Sequence, residues 1–178
     1  MSEILDKLRG GDLRSIGRSE EVVMDVLKNS ALMHRLIEGM FDKDPVVRAR
    51  SADASEKIGR MRRDYLQNFK ERILKDASRV PQQEVRWHVA QMISYLDLTP
   101  EETRAAAKIL LSWLGDKKCK SKIVRVSCLQ TLTELGVRQA SLLPEVRREI
   151  QRALKQGTPA EKSRARKLDK LLQREICN

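Results

Sequence analysis

The chain has 178 residues, of which 40% are hydrophobic and only 3% aromatic, and carries a formal charge of +11. That length and apolar content suffice for one sizeable core, the scarcity of aromatics argues against a β-sandwich and suits stacked helices, and the positive balance admits nucleic acid, an anionic surface or an acidic protein as partner without selecting one. Cys119, Cys128 and Cys177 are too few and scattered for a disulfide framework or zinc knuckle, Met1-Ser2-Glu3-Ile4 lacks the basic and apolar regions of a signal peptide, and no apolar run reaches membrane-spanning length, so the expectation is a reduced, soluble, cytoplasmic protein with no membrane partner.

In chain order, residues 2–9 suit a short helix stopped by Gly10-Gly11, and residues 12–18 read as a connector containing Gly17. Ser19 is an N-cap with Glu20 and Glu21 in the first turn, where the helix dipole favours carboxylates, and Val22, Val23, Val26 and Leu27 follow at helical spacing. Residues 1–29 are thus expected to cap the end of the fold. In residues 30–60, a helix over 31–41 presents Leu32, Leu36, Ile37 and Met40, and Asp44-Pro45 starts a second over 46–58 with a cap and a proline at the first helical position. Ser51, Ala54 and Ser55 keep that helix slim enough for close approach. Residues 61–98 hold a helix over 63–78, a break at Pro81 and a helix over 83–96. Residues 99–136 open on the capping box Thr99-Pro100-Glu101-Glu102, turn at Gly115-Asp116, and return through Val124 to Leu135 before Gly136. Residues 137–175 run from Pro144 to Lys155, turn at Gln156-Gly157, and restart on Thr158-Pro159-Ala160-Glu161. The last helix is dense in charge and has Ser163 where the others have valine, as suits a terminal repeat with one face unburied.

The second helices echo one another. Asp44-Pro45-Val46-Val47-Arg48 is followed by Val85-Arg86, Val124-Arg125 and Ser163-Arg164, with the arginines 38, 39 and 39 residues apart. A period in that range marks stacked helix pairs. Over roughly residues 30–175 the chain resembles the HEAT-repeat family, and the stretch Gly11-Asp12-Leu13-Arg14-Ser15-Ile16-Gly17-Arg18 before the repeats is similar to that of a group of small HEAT-repeat proteins without an assigned activity. The resemblance implies an all-α fold: a single domain over 1–178, built as a right-handed α-solenoid of about four helix pairs (30–60, 61–98, 99–136, 137–175) plus the N-terminal capping helix. It also implies second helices lining a concave face and a ladder of acid and arginine between repeats. Only Asp44 keeps the acid; the matching positions hold Gln82, Ser121 and Ala160.

No catalytic motif stands out. His34 and His88 lie in different repeats without metal-ligand spacing, and there is no Gly-rich loop, Gly-x-Ser-x-Gly turn or His-Glu-x-x-His helix. Neither cofactor, metal nor small-molecule substrate is expected, and the chain reads as non-enzymatic. An outside reading is a HEAT-like DNA glycosylase, for which Trp87, Trp113 and Tyr95 are the available aromatics, but the paired tryptophans and Asp in one groove are missing. The recurring arginines fit bridges between neighbouring repeats better than phosphate contacts.

Turning the helix over 83–96 through 100° per residue puts Val85, Val89, Met92, Ile93 and Leu96 on one side and Trp87 almost opposite, near His88 and Gln91. The equivalents of Trp87 are Ala49, Val126 and Ala165. Trp87 is either a binding hot spot on the concave face or core between repeats. The favoured function is a protein-interaction scaffold or adaptor whose contact surface is Trp87, His88, Gln91, Arg50 and Val126. The alternative is a nucleic-acid-binding module using Lys117, Lys118, Lys120 and Lys122 with Arg164, Arg166 and Lys167, near a C-terminal stretch that carries ten Lys and Arg against four Asp and Glu from Val146 onward.

Overall fold

The structure, a computed structural model, describes residues 3–176, with side chains as far as Arg174. Cys177 lies outside the described residues. Among the described residues the fold is all-helical, without strands. The chain divides into two compact units, Met1–Asp97 and Leu98–Asn178.

The first unit contains α1 (Glu3–Asp6), α2 (Ser19–Lys28), α3 (Met33–Gly39), α4 (Pro45–Met61), α5 (Asp64–Gln67), α6 (Lys70–Lys75) and α7 (Gln83–Tyr95). α4 is its spine, packing against α2, α3 and α7. It starts where the sequence says: Asp44 accepts from the Val46 N–H at 2.8 Å and Pro45 occupies the first turn. Ser51, Ala54 and Ser55 are completely buried, and a Cβ added to Gly39 of α3 would collide with the Ser51 side chain, so the small residues do serve close approach. Leu36, Ile37, Met40, Val47, Ile58, Leu66, Ile73, Val85, Val89, Met92 and Ile93 form the core.

One expected helix is broken. Residues 63–78 form α5, α6 and a 3₁₀ turn over Ala77–Arg79 rather than one rod. At the break Phe69 takes φ −110°, ψ 9°, outside the helical region. Just before it, the Gln67 side chain donates to the Tyr95 carbonyl at 3.1 Å and accepts from the Asp97 N–H at 2.9 Å, closing the C-terminal end of α7. The first helix of the preceding pair is also shorter than expected, a 3₁₀ turn over Ser30–Leu32 leading into α3.

The second unit contains α8 (Pro100–Gly115), α9 (Lys122–Arg138), α10 (Leu143–Gln156) and α11 (Pro159–Ile176). α9 packs on α8, α10 and α11. The Thr99–Glu102 capping box forms reciprocally: the Glu102 N–H donates to Thr99 at 3.2 Å and the Thr99 N–H to Glu102 at 2.8 Å. Thr158 and Glu161 repeat the device at α11.

Burial corrects the register of the last helix. Val47, Val85 and Val124 are fully buried at intervals of 38 and 39, but Ser163 and Arg164 are exposed, and the buried stripe of α11, Glu161, Ala165, Leu168 and Leu172, matches Val124, Cys128, Thr131 and Leu135 of α9 at an interval of 37. Ala165 therefore belongs to the core rather than to the outward register of Trp87, and Lys162, not Arg164, follows the buried position that matches Val124. The shorter interval was hidden because Ser163-Arg164 imitates the Val-Arg echo.

Candidate functional site

Two of the arginines that repeat along the chain, Arg48 and Arg125, bridge helices, one in each unit. Arg48 Nε donates to the Gln82 side chain at 2.7 Å and its Nη1 to the Asp42 carbonyl at 2.8 Å, while the Gln82 amide donates to the Pro45 carbonyl at 2.9 Å, so the N-terminal ends of α4 and α7 are tied. In the second unit Arg125 donates to Glu161 at 2.5 Å and to the Leu114 carbonyl at 2.7 Å, joining α9 to the start of α11 and the end of α8. Burial by itself would raise the Glu161 pKa, but bonds from the Thr158 backbone and side chain and from Arg125 hold it below the ordinary value. Gln82 and Glu161 thus do the work expected of an acid at the helix start. Glu161 stands one place beyond the expected Ala160.

Arg50 is used differently from the way its exposed-face reading implies. It is 5% exposed. Its Nε donates to the Ser15 carbonyl at 3.0 Å, its Nη1 to those of Leu8 and Gly10 at 2.8 Å each, and its Nη2 to that of Asp12 at 3.2 Å. The connector is wrapped on this guanidinium. Gly10, Gly11 and Gly17 supply the positive φ values of 79°, 71° and 55° that the wrap requires, and a Cβ on Gly17 would sit 2.6 Å from Arg50 Nη1. Arg50 therefore builds the wall of a site and offers no free donor fork at its surface.

The wrapped loop, α4 and α7 enclose a depression of about 110 Å³. Leu13, Arg14, Ser15 and Ile16 line it from the loop, Ala49, Arg50 and Asp53 from α4, and Glu84, Trp87 and His88 from α7. Trp87 is half-buried, so it takes neither of the extremes open to it in the sequence. His88 is buried, its ring centroid 5.2 Å from that of Trp87, and Gln91 is half-buried one turn further on. Burial pushes the His88 pKa down to about 4 against the opposing pull of Asp53, whose Oδ1 lies 3.9 Å from Nε2; Lys57, 2.9 Å from the other Asp53 oxygen, adds to the depression of the pKa. The imidazole is neutral at neutral pH.

Leu13 and Ile16 are the residues that periodicity missed, because they stand in a connector without a helical or strand period. Both are large apolar residues left about half exposed, at 48% and 50%. A pair of apolar residues inside a glycine-bounded connector was the only sign of them.

The remaining expected positions lie in the second unit. Val126 is half-buried on α9. Lys117, Lys118 and Lys120 are exposed on the loop between α8 and α9, with Lys122 exposed at the first residue of α9. Arg164, Arg166 and Lys167 are exposed on α11, where Arg164 donates to the Gln130 side chain of α9 at 2.9 Å. The two basic sets therefore occupy different elements of the unit. Trp113 is 5% exposed, and the half-buried Tyr95 donates its hydroxyl to Glu56 at 2.7 Å and has the Arg63 guanidinium 5.8 Å from its ring centroid. Among the described residues no group of three or more His, Cys, Asp or Glu side chains is placed to hold a metal ion, and no helix is long and apolar enough to cross a membrane. Compared with protein-family models, curated proteins and solved structures, the chain matches none.

Proposed function

We propose that the protein is a non-enzymatic interaction adaptor, a HEAT-like right-handed solenoid whose first unit receives an apolar side chain of a partner protein against Trp87, Leu13 and Ile16. The observation that carries this reading is the depression itself. In a chain with so few aromatic residues, a half-buried tryptophan stands beside two half-exposed aliphatic side chains, on a wall held by the buried Arg50. Partly open tryptophans ringed by polar groups are the usual anchors of protein interfaces. The neutral His88 adds a ring without adding a charge, and Gln91 supplies a polar rim. The Arg48–Gln82 and Arg125–Glu161 bridges support that resemblance by tying the second helix of one expected repeat to the next.

The test compares affinity capture by the tagged full-length chain with capture by Trp87→Ser and by Leu13→Ser, each checked by circular dichroism and melting. A partner retained by the wild type and lost by both folded variants supports the reading. Capture that is identical for Leu13→Ser and the wild type would sink it, since Leu13 lies on the loop surface and its replacement leaves the core intact.

A further inference from the structure

The positive charge is unevenly divided between the two units. Residues 98–178 hold 18 Lys and Arg against 9 Asp and Glu, a balance of +9, whereas residues 1–97 hold 18 against 16, a balance of +2. In the first unit Lys7, Arg9, Arg18, Lys57, Arg62, Arg72 and Lys75 each lie within 3.0 Å of a carboxylate oxygen. The cations of α11 are disposed otherwise. Its residues Glu161, Ala165, Leu168 and Leu172 are buried and form one stripe at helical spacing. Arg166, Lys167, Lys170 and Arg174 are all exposed and fall within about 50° of the opposite direction at 100° per residue. Among the described residues no ion pair reaches any of these four, and Asp169, at the flank of the ridge, accepts from Gln173 at 3.3 Å.

We propose that this ridge of α11 binds the sugar-phosphate backbone of a nucleic-acid duplex. From Arg166 to Arg174 it is about 12 Å long at 1.5 Å per residue, enough to follow several phosphates of a duplex that carries one charge per roughly 1.7 Å of axis. Three features favour a duplex over other polyanions. A helix lying in a membrane surface needs an apolar face free to insert, and the apolar stripe of α11 is already buried in the unit. Protein interfaces are depleted of lysine and anchored by aromatic or apolar groups, which the ridge lacks, its other exposed residues being Ser163 and Gln173. Single-strand binders stack bases on aromatic side chains, and the ridge has none. Arg164, held against Gln130, stands at the edge of the surface, and the lysines of the loop before α9 lie outside it.

The full chain is titrated with a DNA duplex and an RNA duplex of mixed sequence over a range of salt concentrations, alongside Arg166→Gln/Lys170→Gln, Lys167→Gln/Arg174→Gln and, as a charge-matched control in the same unit, Lys117→Gln/Lys118→Gln. Binding of at least one duplex is expected, with log affinity falling linearly against log salt. Each ridge pair should make that slope shallower by about 2, close to 0.9 per lost phosphate contact, with a roughly tenfold loss at low salt and an unchanged melting temperature. The control pair should keep the wild-type slope. Absence of duplex binding at low salt, ridge variants that titrate like the wild type, a control pair that loses as much as the ridge pairs, or binding to phosphatidylserine vesicles but to neither duplex would each overturn the proposal. Should one ridge pair fail to fold, the other decides.

Discussion

A guanidinium taken out of water is costly unless its donors are used, and Arg50 uses Nε, Nη1 and Nη2 on backbone carbonyls of the connector. The Asp12 carbonyl also accepts from the Ser15 N–H at 3.4 Å, but those of Leu8, Gly10 and Ser15 have no helical partner, so each side satisfies the other. Arg50→Ala is therefore expected to lower unfolding stability by about 2–4 kcal/mol and to expose residues 9–17 to rapid hydrogen exchange, while Arg50→Lys recovers only part of the loss because one ammonium cannot reach carbonyls on so many sides. If exchange in the connector is the same in Arg50→Ala and the wild type, Arg50 does not hold the loop. His88 couples stability to pH. Its folded pKa of about 4 lies below the unfolded value near 6.5, so the unfolded chain binds the extra proton between those limits. The stability that this group contributes is complete above pH about 6.5, falls as the pH drops toward 4, and is gone below it, a swing of about 3 kcal/mol. Urea denaturation from pH 7 to pH 4 should show a steeper decline for the wild type than for His88→Gln, and equal slopes would show that the imidazole titrates normally.

At the level of the helices, starts and stops were the most readable features, because a cap is a local event: Asp44-Pro45 and Thr99-Pro100-x-Glu102 need only their own side chains and the next turn of backbone. The buried side of α7 was equally plain, since Val85, Val89, Met92 and Ile93 repeat at helical spacing. The break between α5 and α6 was not readable, because it depends on Gln67 reaching a helix end almost thirty residues away. Nor was the role of Arg50, whose partners are carbonyls and leave no trace in side-chain identity. The half-buried state of Trp87 was undecidable for a related reason: the loop that closes over it carries Leu13 and Ile16 outside any period. The bridge between α9 and α11 tests how far the repeated arginines act as ties. Arg125→Ala and Glu161→Gln should each destabilise the chain, and a double-mutant cycle should give a coupling of about 1–3 kcal/mol, because Glu161 is buried and loses a charged donor. A coupling near zero would mean that Glu161 is held by Thr158 alone and that Arg125 serves the Leu114 carbonyl.

For the molecule as a whole, the same solvent change should act in opposite directions on the two stretches. Residues 3–97 are nearly balanced and laced with close ion pairs at or near the surface, which salt weakens. Residues 98–176 carry most of the net charge, and the ridge cations of α11, which have no ion pair among the described residues, repel one another; with a screening length of about 10 Å at 0.1 M, added salt relieves that repulsion. Raising sodium chloride from low to moderate concentration is therefore expected to increase hydrogen-exchange protection in α9, α10 and α11 while leaving α2, α4 and α7 unchanged or slightly less protected. The measurement is peptide-resolved exchange at constant pH and temperature. Protection that rises equally in both stretches would point to a general salting-out effect on apolar burial, and protection that falls in α11 would show that its stability depends on attractive pairs, contrary to the unpaired ridge.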